Sequence, residues 1–108
     1  MSSKTWKNIE RRIASYFGSE RTPLSGGNSK ITRSDSLHDL LFIETKYRAN
    51  HSAVTLWRKT KEMADAENKI PVCCLSEKGA QGFWIMCHSE DLTSISNQRI
   101  LAKREGAE

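Results

Sequence analysis

Three acidic residues and one lysine in the first half of the chain have the types and spacing that a hydrolytic site requires. They are Glu10, Asp35, Glu44 and Lys46. Carboxylate oxygens are the ligands that a hard divalent cation prefers, and a bound cation lowers the pKa of water. A nearby ammonium group can orient that water or offset negative charge that builds on a phosphate. These residue types therefore predict metal-dependent hydrolysis of a phosphodiester.

Glu44 and Lys46 follow a short apolar run whose composition predicts a buried strand. The run covers residues 40–43 and reads Leu-Leu-Phe-Ile. Residues two apart in a strand point to the same face, so Glu44 and Lys46 should project together with Phe42. Burying a carboxylate and an ammonium group at the end of an apolar strand costs free energy, which favours a functional role.

Glu10 lies in a segment whose apolar spacing predicts a helix over residues 5–17, with Thr5 as its cap. The apolar side chains gather on one stripe of this helix, which comprises Trp6, Ile9, Ile13, Tyr16 and Phe17. Glu10 falls at the edge of that stripe. A carboxylate on the inward edge of a helix needs a partner, and both a basic residue and a metal-bound water remain open.

Asp35 follows a stretch rich in glycine, serine and asparagine that begins after Gly18, the predicted end of the first helix. This composition predicts a loop or loose hairpin with exposed backbone amides. Such amides, together with Arg21, Lys30 and Arg33, can hold phosphate oxygens. The loop is therefore expected to contact a polyanion.

The charge of the chain favours the same kind of partner. The formal net charge is +4, with an isoelectric point near 9.1. Seven basic residues lie around the acidic positions: Arg11, Arg12, Arg21, Lys30, Arg33, Lys46 and Arg48. A basic surface beside a carboxylate cluster is expected to attract nucleic acid.

Length and composition predict a single soluble domain. At 108 residues the chain can build one modest core, and it has neither an apolar run of membrane-spanning length nor a secretory leader. We therefore expect a cytoplasmic protein that does not bind a membrane. Three cysteines, Cys73, Cys74 and Cys87, lack the spacing of a disulfide framework or a zinc site and are expected to be buried thiols.

The second half of the chain predicts further alternating helices and strands. A helix is expected over residues 52–68 with Ser52 as its cap, strands over 70–75 and 82–87, and a helical pattern from residue 91 onward. The predicted fold class is α/β, with a small mixed β-sheet flanked by helices.

The Asp…Glu-x-Lys pattern resembles that of the PD-(D/E)xK nuclease superfamily. Over residues 5–90 the chain is also similar to the archaeal-type Holliday junction resolvases and their phage-encoded relatives. The matching segments are Ile9-Glu10-Arg11, Arg21, Ser25-Gly26, Ser34-Asp35, Ile43-Glu44-Thr45-Lys46, Lys69-Ile70-Pro71-Val72 and Gly82-Phe83-Trp84. The resemblance implies a restriction-endonuclease-like core in a single nuclease domain over residues 1–108, with a helical tail over 91–108.

The resemblance also implies a homodimer that cuts four-way DNA junctions by paired nicks and depends on Mg²⁺ or Mn²⁺. A phage-encoded member would act in the cytoplasm of its host. The implied catalytic residues are Glu10, Asp35, Glu44 and Lys46. The metal ligands are expected from Asp35, Glu44, the carbonyl of Thr45 and, through a water or a second ion, Glu10. The expected DNA contacts are Arg11, Arg21, Ser25, Gly26, Lys30, Arg33 and Arg48.

The sequence departs from the resolvase pattern between Asp35 and Glu44. The interval is shorter than in the archaeal enzymes, so a tighter hairpin is expected there. Asp39 is an alternative ligand to Asp35, and His38 is close enough in sequence to join the metal shell or contact a phosphate.

Two other functions remain open at this stage. The first is a nicking or homing-type endonuclease that acts on duplex DNA with the same four residues. The second is a non-catalytic nucleic-acid-binding module in which the acidic cluster is structural.

Overall fold

The computed structural model describes residues 3–23 and 34–108. In chain order, the described elements are α1 (Ser3–Tyr16), α2 (Ser52–Ala66), β1 (Cys73–Leu75), β2 (Trp84–Met86) and α3 (Leu92–Arg104). The chain divides into two compact units, a first unit of Met1–Ala49 and a second unit of Asn50–Glu108. Helices and a small sheet together confirm the predicted α/β class at the level of secondary-structure content. A single domain over residues 1–108 stays a prediction.

Helix α1 covers the predicted segment and ends just before the predicted glycine. It begins at Ser3, so Thr5 lies inside the helix and the prediction that Thr5 caps it is wrong. Gly18 has a φ of +71°, which is the left-handed conformation that a helix C-terminus often takes. Its amide donates to the carbonyl of Ser15 at 2.9 Å, and the amide of Ser19 donates to the carbonyl of Ala14 at 2.9 Å. Glu10 and Ala14 are the buried residues of this helix. The inward position predicted for Glu10 is therefore confirmed.

The rest of the first unit is held together by hydrogen bonds between short segments. Arg21 and Ser36 form an isolated antiparallel bridge. The amide of Thr22 donates to the carbonyl of Asp35 at 3.2 Å, and the hydroxyl of Thr22 donates to the carbonyl of Ser34 at 2.9 Å. These contacts fix the chain on both sides of residues 24–33.

The prediction of a buried strand over residues 40–43 is wrong. This segment forms no strand with any residue that the structure describes, and Leu40, Leu41 and Phe42 are exposed. The backbone of Ile43 forms hydrogen bonds with a side chain instead. The Ser34 hydroxyl accepts from the Ile43 amide at 2.8 Å and donates to the Ile43 carbonyl at 3.0 Å. A side chain thus replaces the neighbouring strand that the sequence pattern suggested.

The second unit contains a helix, a hairpin and a C-terminal helix. Strands β1 and β2 pair antiparallel, with Cys74 opposite Ile85. The described sheet has two antiparallel strands, so the prediction of a mixed sheet is wrong for the described residues. Both strands are also shorter than predicted. Cys73 is buried, Cys87 is partly exposed and Cys74 is exposed. The prediction of buried thiols is therefore wrong for Cys74, because adjacent residues of a strand face opposite ways.

The described α-helices have lengths that are ordinary for a globular protein. They contain 14, 15 and 13 residues in sequence order. Helix α2 begins after His51 and not after Ser52, and no side chain caps it. Across residues 3–23 and 34–108, no helix combines the length and the apolar character needed to cross a bilayer.

We expect Ser34→Ala to lower the free energy of unfolding by about 1–3 kcal/mol, because it leaves the Ile43 amide without its acceptor. The Ile43 carbonyl keeps the hydrogen bond from the Asp35 amide. Chemical denaturation followed by tryptophan fluorescence measures the change. Ser76→Ala is the matched control, since Ser76 is exposed and its substitution should change stability by less than about 0.5 kcal/mol. Equal stability of the two variants would contradict the role given to Ser34.

Candidate active site

Glu10 is a buried carboxylate with two donors on neighbouring side chains. Its side chain is 1% exposed, and the Nε of Arg21 donates to its Oε2 at 2.7 Å. The indole N–H of Trp6, one helical turn earlier, donates to Oε1. A buried carboxylate is stable only when it is paired and hydrogen-bonded. Arg21 and Trp6 therefore fix both the charge and the orientation of Glu10.

Asp35 is the second buried carboxylate, and its position is set by the backbone on both sides. The amide of Asp35 donates to the carbonyl of Ile43 at 2.8 Å. The amide of Thr45 donates to the Oδ2 of Asp35. Asp35 is thus tied to the segment that carries Glu44, although nine positions separate the two residues in sequence.

Glu44 and Lys46 project from the same side of an extended segment. Ile43 and Thr45 are buried, while Glu44 and Lys46 are exposed. The Nζ of Lys46 lies 2.9 Å from the Oε1 of Glu44, and both side chains are about half exposed. The predicted side-by-side arrangement is therefore present, even though the segment is not a strand. Such a solvent-facing pair contributes little to stability.

The electrostatics of Asp35 connect the four residues. Burial raises the pKa of the Asp35 carboxyl above its usual value, while the hydrogen bond from the Thr45 amide acts to lower it. The negative charges of Glu44 and Glu10 add to the rise in pKa, and the positive charge of Lys46 opposes it. Charges influence one another in this way only when they lie close together. Glu10, Glu44 and Lys46 come from separate segments and lie near enough for their charges to affect Asp35.

A second Glu-x-Lys pair in the chain shows why spacing alone is uninformative. The Nζ of Lys69 lies 3.0 Å from the Oε1 of Glu67, and both side chains are exposed. This geometry is close to that of Glu44 and Lys46. Glu44 and Lys46 differ from the Glu67 and Lys69 pair because their charges act on the buried carboxyl of Asp35.

The donor set suits a hard cation held by few protein ligands. Within the described ranges, no three His, Cys, Asp or Glu side chains are grouped closely enough to hold a metal ion. Asp35 and Glu44 supply carboxylate oxygens, and Mg²⁺ commonly takes one or two carboxylates and keeps several waters. Glu10 is already held by Arg21 and Trp6. A role for Glu10 and for the Thr45 carbonyl as ligands stays a prediction.

Only part of the predicted DNA-contact set lies in the described residues. Arg11 and Arg48 are exposed, and the Nη1 of Arg11 donates to the side chain of Asn8 at 3.0 Å. Arg11 and Arg21 line one cavity of about 330 Å³ beside the C-terminal half of α1. Arg21 is mostly buried against Glu10, so its first role is to neutralise that carboxylate. Four predicted contacts lie outside the described residues: Ser25, Gly26, Lys30 and Arg33.

The sequence pattern did not reveal the local role of His38. Its Nδ1 accepts from the amides of Leu40 and Leu41, each at 3.0 Å. Through this nitrogen His38 has a structural role, whereas a contact of its Nε2 with a metal ion or a phosphate stays a prediction. Asp39, the alternative to Asp35, is exposed. The supporting roles of Trp6 and Ser34 were also missed, although the spacing of Trp6 four residues before Glu10 was a usable signal.

The net charge of the chain belongs entirely to the part that carries the candidate site. Residues 1–49 contain nine Lys and Arg residues and five Asp and Glu residues, which gives +4. Residues 50–108 contain eight of each and are neutral. The positive bias therefore lies in the half of the sequence that contains the candidate site residues.

Comparison with family models, with curated proteins and with solved structures gives no match for this chain. Its function must therefore be argued from the residues and their geometry.

We expect Asp35→Asn to be more stable than the wild type at neutral pH when divalent cations are absent. The raised pKa of Asp35 means that the folded state holds the proton more tightly than the unfolded chain. The ionised form therefore lowers stability as the pH rises above the ordinary aspartate range near about 4. Asparagine keeps an acceptor for the Thr45 amide and removes the charge.

The measurement is the free energy of unfolding of both proteins between about pH 4 and pH 8, across the range in which carboxylates ionise. The advantage of the Asp35→Asn protein should shrink as the pH falls. Asp39→Asn is the matched control, because Asp39 is exposed, and it should show no such trend. An advantage that grows towards acidic pH would contradict the account of Asp35.

We expect Glu10→Ala to lower the free energy of unfolding by roughly 3–5 kcal/mol, because it leaves the largely buried guanidinium of Arg21 without its carboxylate. The double variant Glu10→Ala/Arg21→Ala should lose less than the sum of the two single variants. Glu20→Ala, at an exposed position, provides the control. Additive losses in denaturant unfolding would mean that the ion pair does not couple the two residues.

Proposed function

We propose that this chain is a metal-dependent, structure-specific DNA endonuclease that resolves Holliday junctions or other branched DNA by paired phosphodiester nicks. The observation that carries the proposal is that Glu10, Glu44 and Lys46 all act on the buried carboxyl of Asp35. These are the residues on which the resemblance to the PD-(D/E)xK nucleases depends. Their charges meet in the first unit although they come from separate segments.

The carboxylates of Asp35 and Glu44 fit Mg²⁺ or Mn²⁺ in chemistry and in charge. Burial and repulsion by Glu44 disfavour the ionised form of Asp35, and a divalent cation between the two groups would offset both effects. Glu44 is half exposed, so solvent and substrate reach this side of the site. When bound, the metal supplies Lewis acidity at the phosphate and lowers the pKa of a water.

Each protein group then has a distinct task. The Thr45 amide holds the Asp35 carboxylate in place. Lys46, held 2.9 Å from Glu44, presents a solvent-facing ammonium that can orient the attacking water or stabilise charge on the scissile phosphate. Glu10, fixed by Arg21 and Trp6, acts on Asp35 through its charge and can bind an outer water.

The basic character of residues 1–49 supports DNA as the substrate. A net charge of +4 on this part of the chain favours contacts with phosphates, which supply most of the affinity in DNA binding. Arg11 and Arg48 are exposed and are the described residues best suited to such contacts. The restriction-endonuclease-like core belongs to this proposal. So does a homodimer, since symmetric paired nicks need two active sites related by a twofold axis.

One observation favours the non-catalytic alternative. The ion pair between Glu10 and Arg21 is sufficient by itself to explain why Glu10 is buried. That ion pair does not explain why Asp35 is buried. Lys46 is the positive charge that acts to lower the pKa of Asp35, and its influence is smaller than that of burial. The nuclease proposal accounts for both carboxylates.

We expect the wild-type protein with Mg²⁺ to introduce symmetric paired nicks into a labelled four-way junction and to leave a linear duplex of equal length intact. Glu44→Gln and Lys46→Ala should each lower the cleavage rate by about 10²-fold or more. The first variant loses a carboxylate that holds the metal, and the second loses the ammonium that acts on the water or the phosphate. Both variants should still bind the junction, since the basic contacts remain. Gel analysis of end-labelled strands measures the cuts.

The second Glu-x-Lys pair provides the matched controls. Glu67→Gln and Lys69→Ala change the same residue types at the same spacing and should cleave at the wild-type rate. Chelation of the metal should abolish cleavage by every protein. Retained cleavage in the Glu44→Gln and Lys46→Ala proteins would refute the site, and equal attack on the linear duplex would favour the nicking or homing-type endonuclease.

A further inference from the structure

A cavity in the second unit is lined by residues that the proposed function does not use. Its volume is about 330 Å³, which is near the lower end of the range for small-molecule sites. Three lining residues share one face of α2 through their i, i+3, i+4 spacing, and three are consecutive at the end of β2. They are Val54, Trp57, Arg58, Met86, Cys87 and His88. Because all six lie within residues 50–108, the cavity belongs to one unit.

Most of the lining is apolar. The apolar side chains are half-buried and belong to Val54, Trp57, Met86 and Cys87. The ring of Trp57 lies against that of His88, with centroids 5.4 Å apart and an angle of 32° between the ring planes. Flat apolar groups pack well on such rings. The cavity therefore suits a ligand with a flat apolar body.

The indole N–H of Trp57 is a buried donor without an acceptor. It has no hydrogen-bond partner among residues 3–23 and 34–108. A buried donor that stays unpaired costs free energy, and native structures leave few of them. The lining of the cavity thus includes one group that an acceptor atom of a ligand would stabilise.

His88 offers a second donor. Its Nδ1 accepts from the Glu90 amide at 3.2 Å, so the proton of the neutral ring lies on Nε2. In the described part of the chain, no hydrogen bond uses this Nε2. The carboxylate of Glu90 lies 4.0 Å from Nδ1, which is the other ring nitrogen. Nε2 is therefore available to a ligand.

Arg58 gives the lining its charge. Its guanidinium is exposed and forms no ion pair with any described residue, including Glu62 one helical turn later. None of the other five lining residues is acidic. Residues 50–108 as a whole are neutral, so they supply no extended positive field for a polyanion. One cation beside two uncharged donors favours a compact anion.

We propose that this cavity binds a small organic anion in which a carboxylate or phosphate is attached to a flat apolar group. The anionic group binds Arg58 and the Nε2–H of His88, and the flat group packs on the ring of Trp57. An oxygen of the ligand becomes the acceptor for the Trp57 N–H. Because that N–H is buried, the ring must turn slightly to reach the oxygen. The inference does not depend on the proposed function, since it uses neither the carboxylates of the first unit nor a metal.

The test is a titration of the ¹⁵N-labelled full chain with benzoate, followed by the indole N–H signals of its three tryptophans in NMR spectra. Trp57→Phe identifies the signal of Trp57. Benzoate should move this signal downfield in a saturable way, with a Kd of about 1 mM or lower, because the N–H gains an acceptor. The signals of Trp6 and Trp84 should stay unchanged, since neither residue lines the cavity.

Three other probes separate the charge of the ligand from its shape. Benzamide keeps the ring but lacks the charge, and acetate keeps the carboxylate but lacks the ring. Both should bind at least about tenfold more weakly than benzoate. Phenyl phosphate should bind as benzoate does, and the tighter of the two identifies the anionic group. Benzamide binding as tightly as benzoate would overturn the assignment of an anion.

Two variants test the role of the cation. Arg58→Gln should weaken benzoate binding by about tenfold, because a charge-assisted hydrogen bond is lost. Lys59→Gln removes the next cation of α2, which does not line the cavity, and should bind as the wild type. Both residues are exposed, so the thermal unfolding midpoint should stay unchanged. Equal binding by the wild type and Arg58→Gln, or no saturation with either benzoate or phenyl phosphate, would overturn the proposal.

Discussion

The first unit depends on the contact between the Asp35 carboxylate and the amide of Thr45. Together with the bond from the Asp35 amide to the Ile43 carbonyl, it joins two segments that are distant in sequence and have no strand pairing with each other. The same contact gives a buried carboxylate one of the few donors it has. Local structure and site chemistry therefore rest on one carboxyl group, and its charge state matters to both.

The two buried carboxylates are handled differently by the protein. Glu10 is neutralised by a guanidinium at 2.7 Å and oriented by an indole N–H, so its charge is compensated within the fold. Asp35 accepts from a backbone amide but forms no ion pair with any residue in 3–23 or 34–108, and Glu44 and Glu10 both repel its charge. A structural carboxylate needs the first arrangement. The second arrangement leaves the negative charge of the carboxylate only partly compensated by the described residues, as is common where a protein binds a cation or performs chemistry.

The sequence predicted the structure correctly where the features lie within a single helix. Apolar periodicity predicted α1, its end at Gly18 and the inward position of Glu10, because each depends on neighbours within a few residues. It failed at residues 40–43, where the run of apolar residues indicated a buried strand. The hydroxyl of Ser34 binds the backbone of Ile43. Ser34 lies nine positions earlier in sequence but is adjacent in the fold. Likewise the spacing of Glu-x-Lys cannot distinguish Glu44 from Glu67, since only the fold brings Asp35 to one of them.

A loop, and not the expected hairpin, joins Asp35 to Glu44. Side chains bind the backbone of this interval in place of a paired strand. Ser34, Asp35 and the ring of His38 saturate the backbone groups that a sheet would otherwise use. The apolar residues between these anchors then have no sheet face to cover and point outwards. The exposed apolar side chains of residues 40–42 and the buried Asp35 carboxylate thus both result from the way in which residues 36–43 are held.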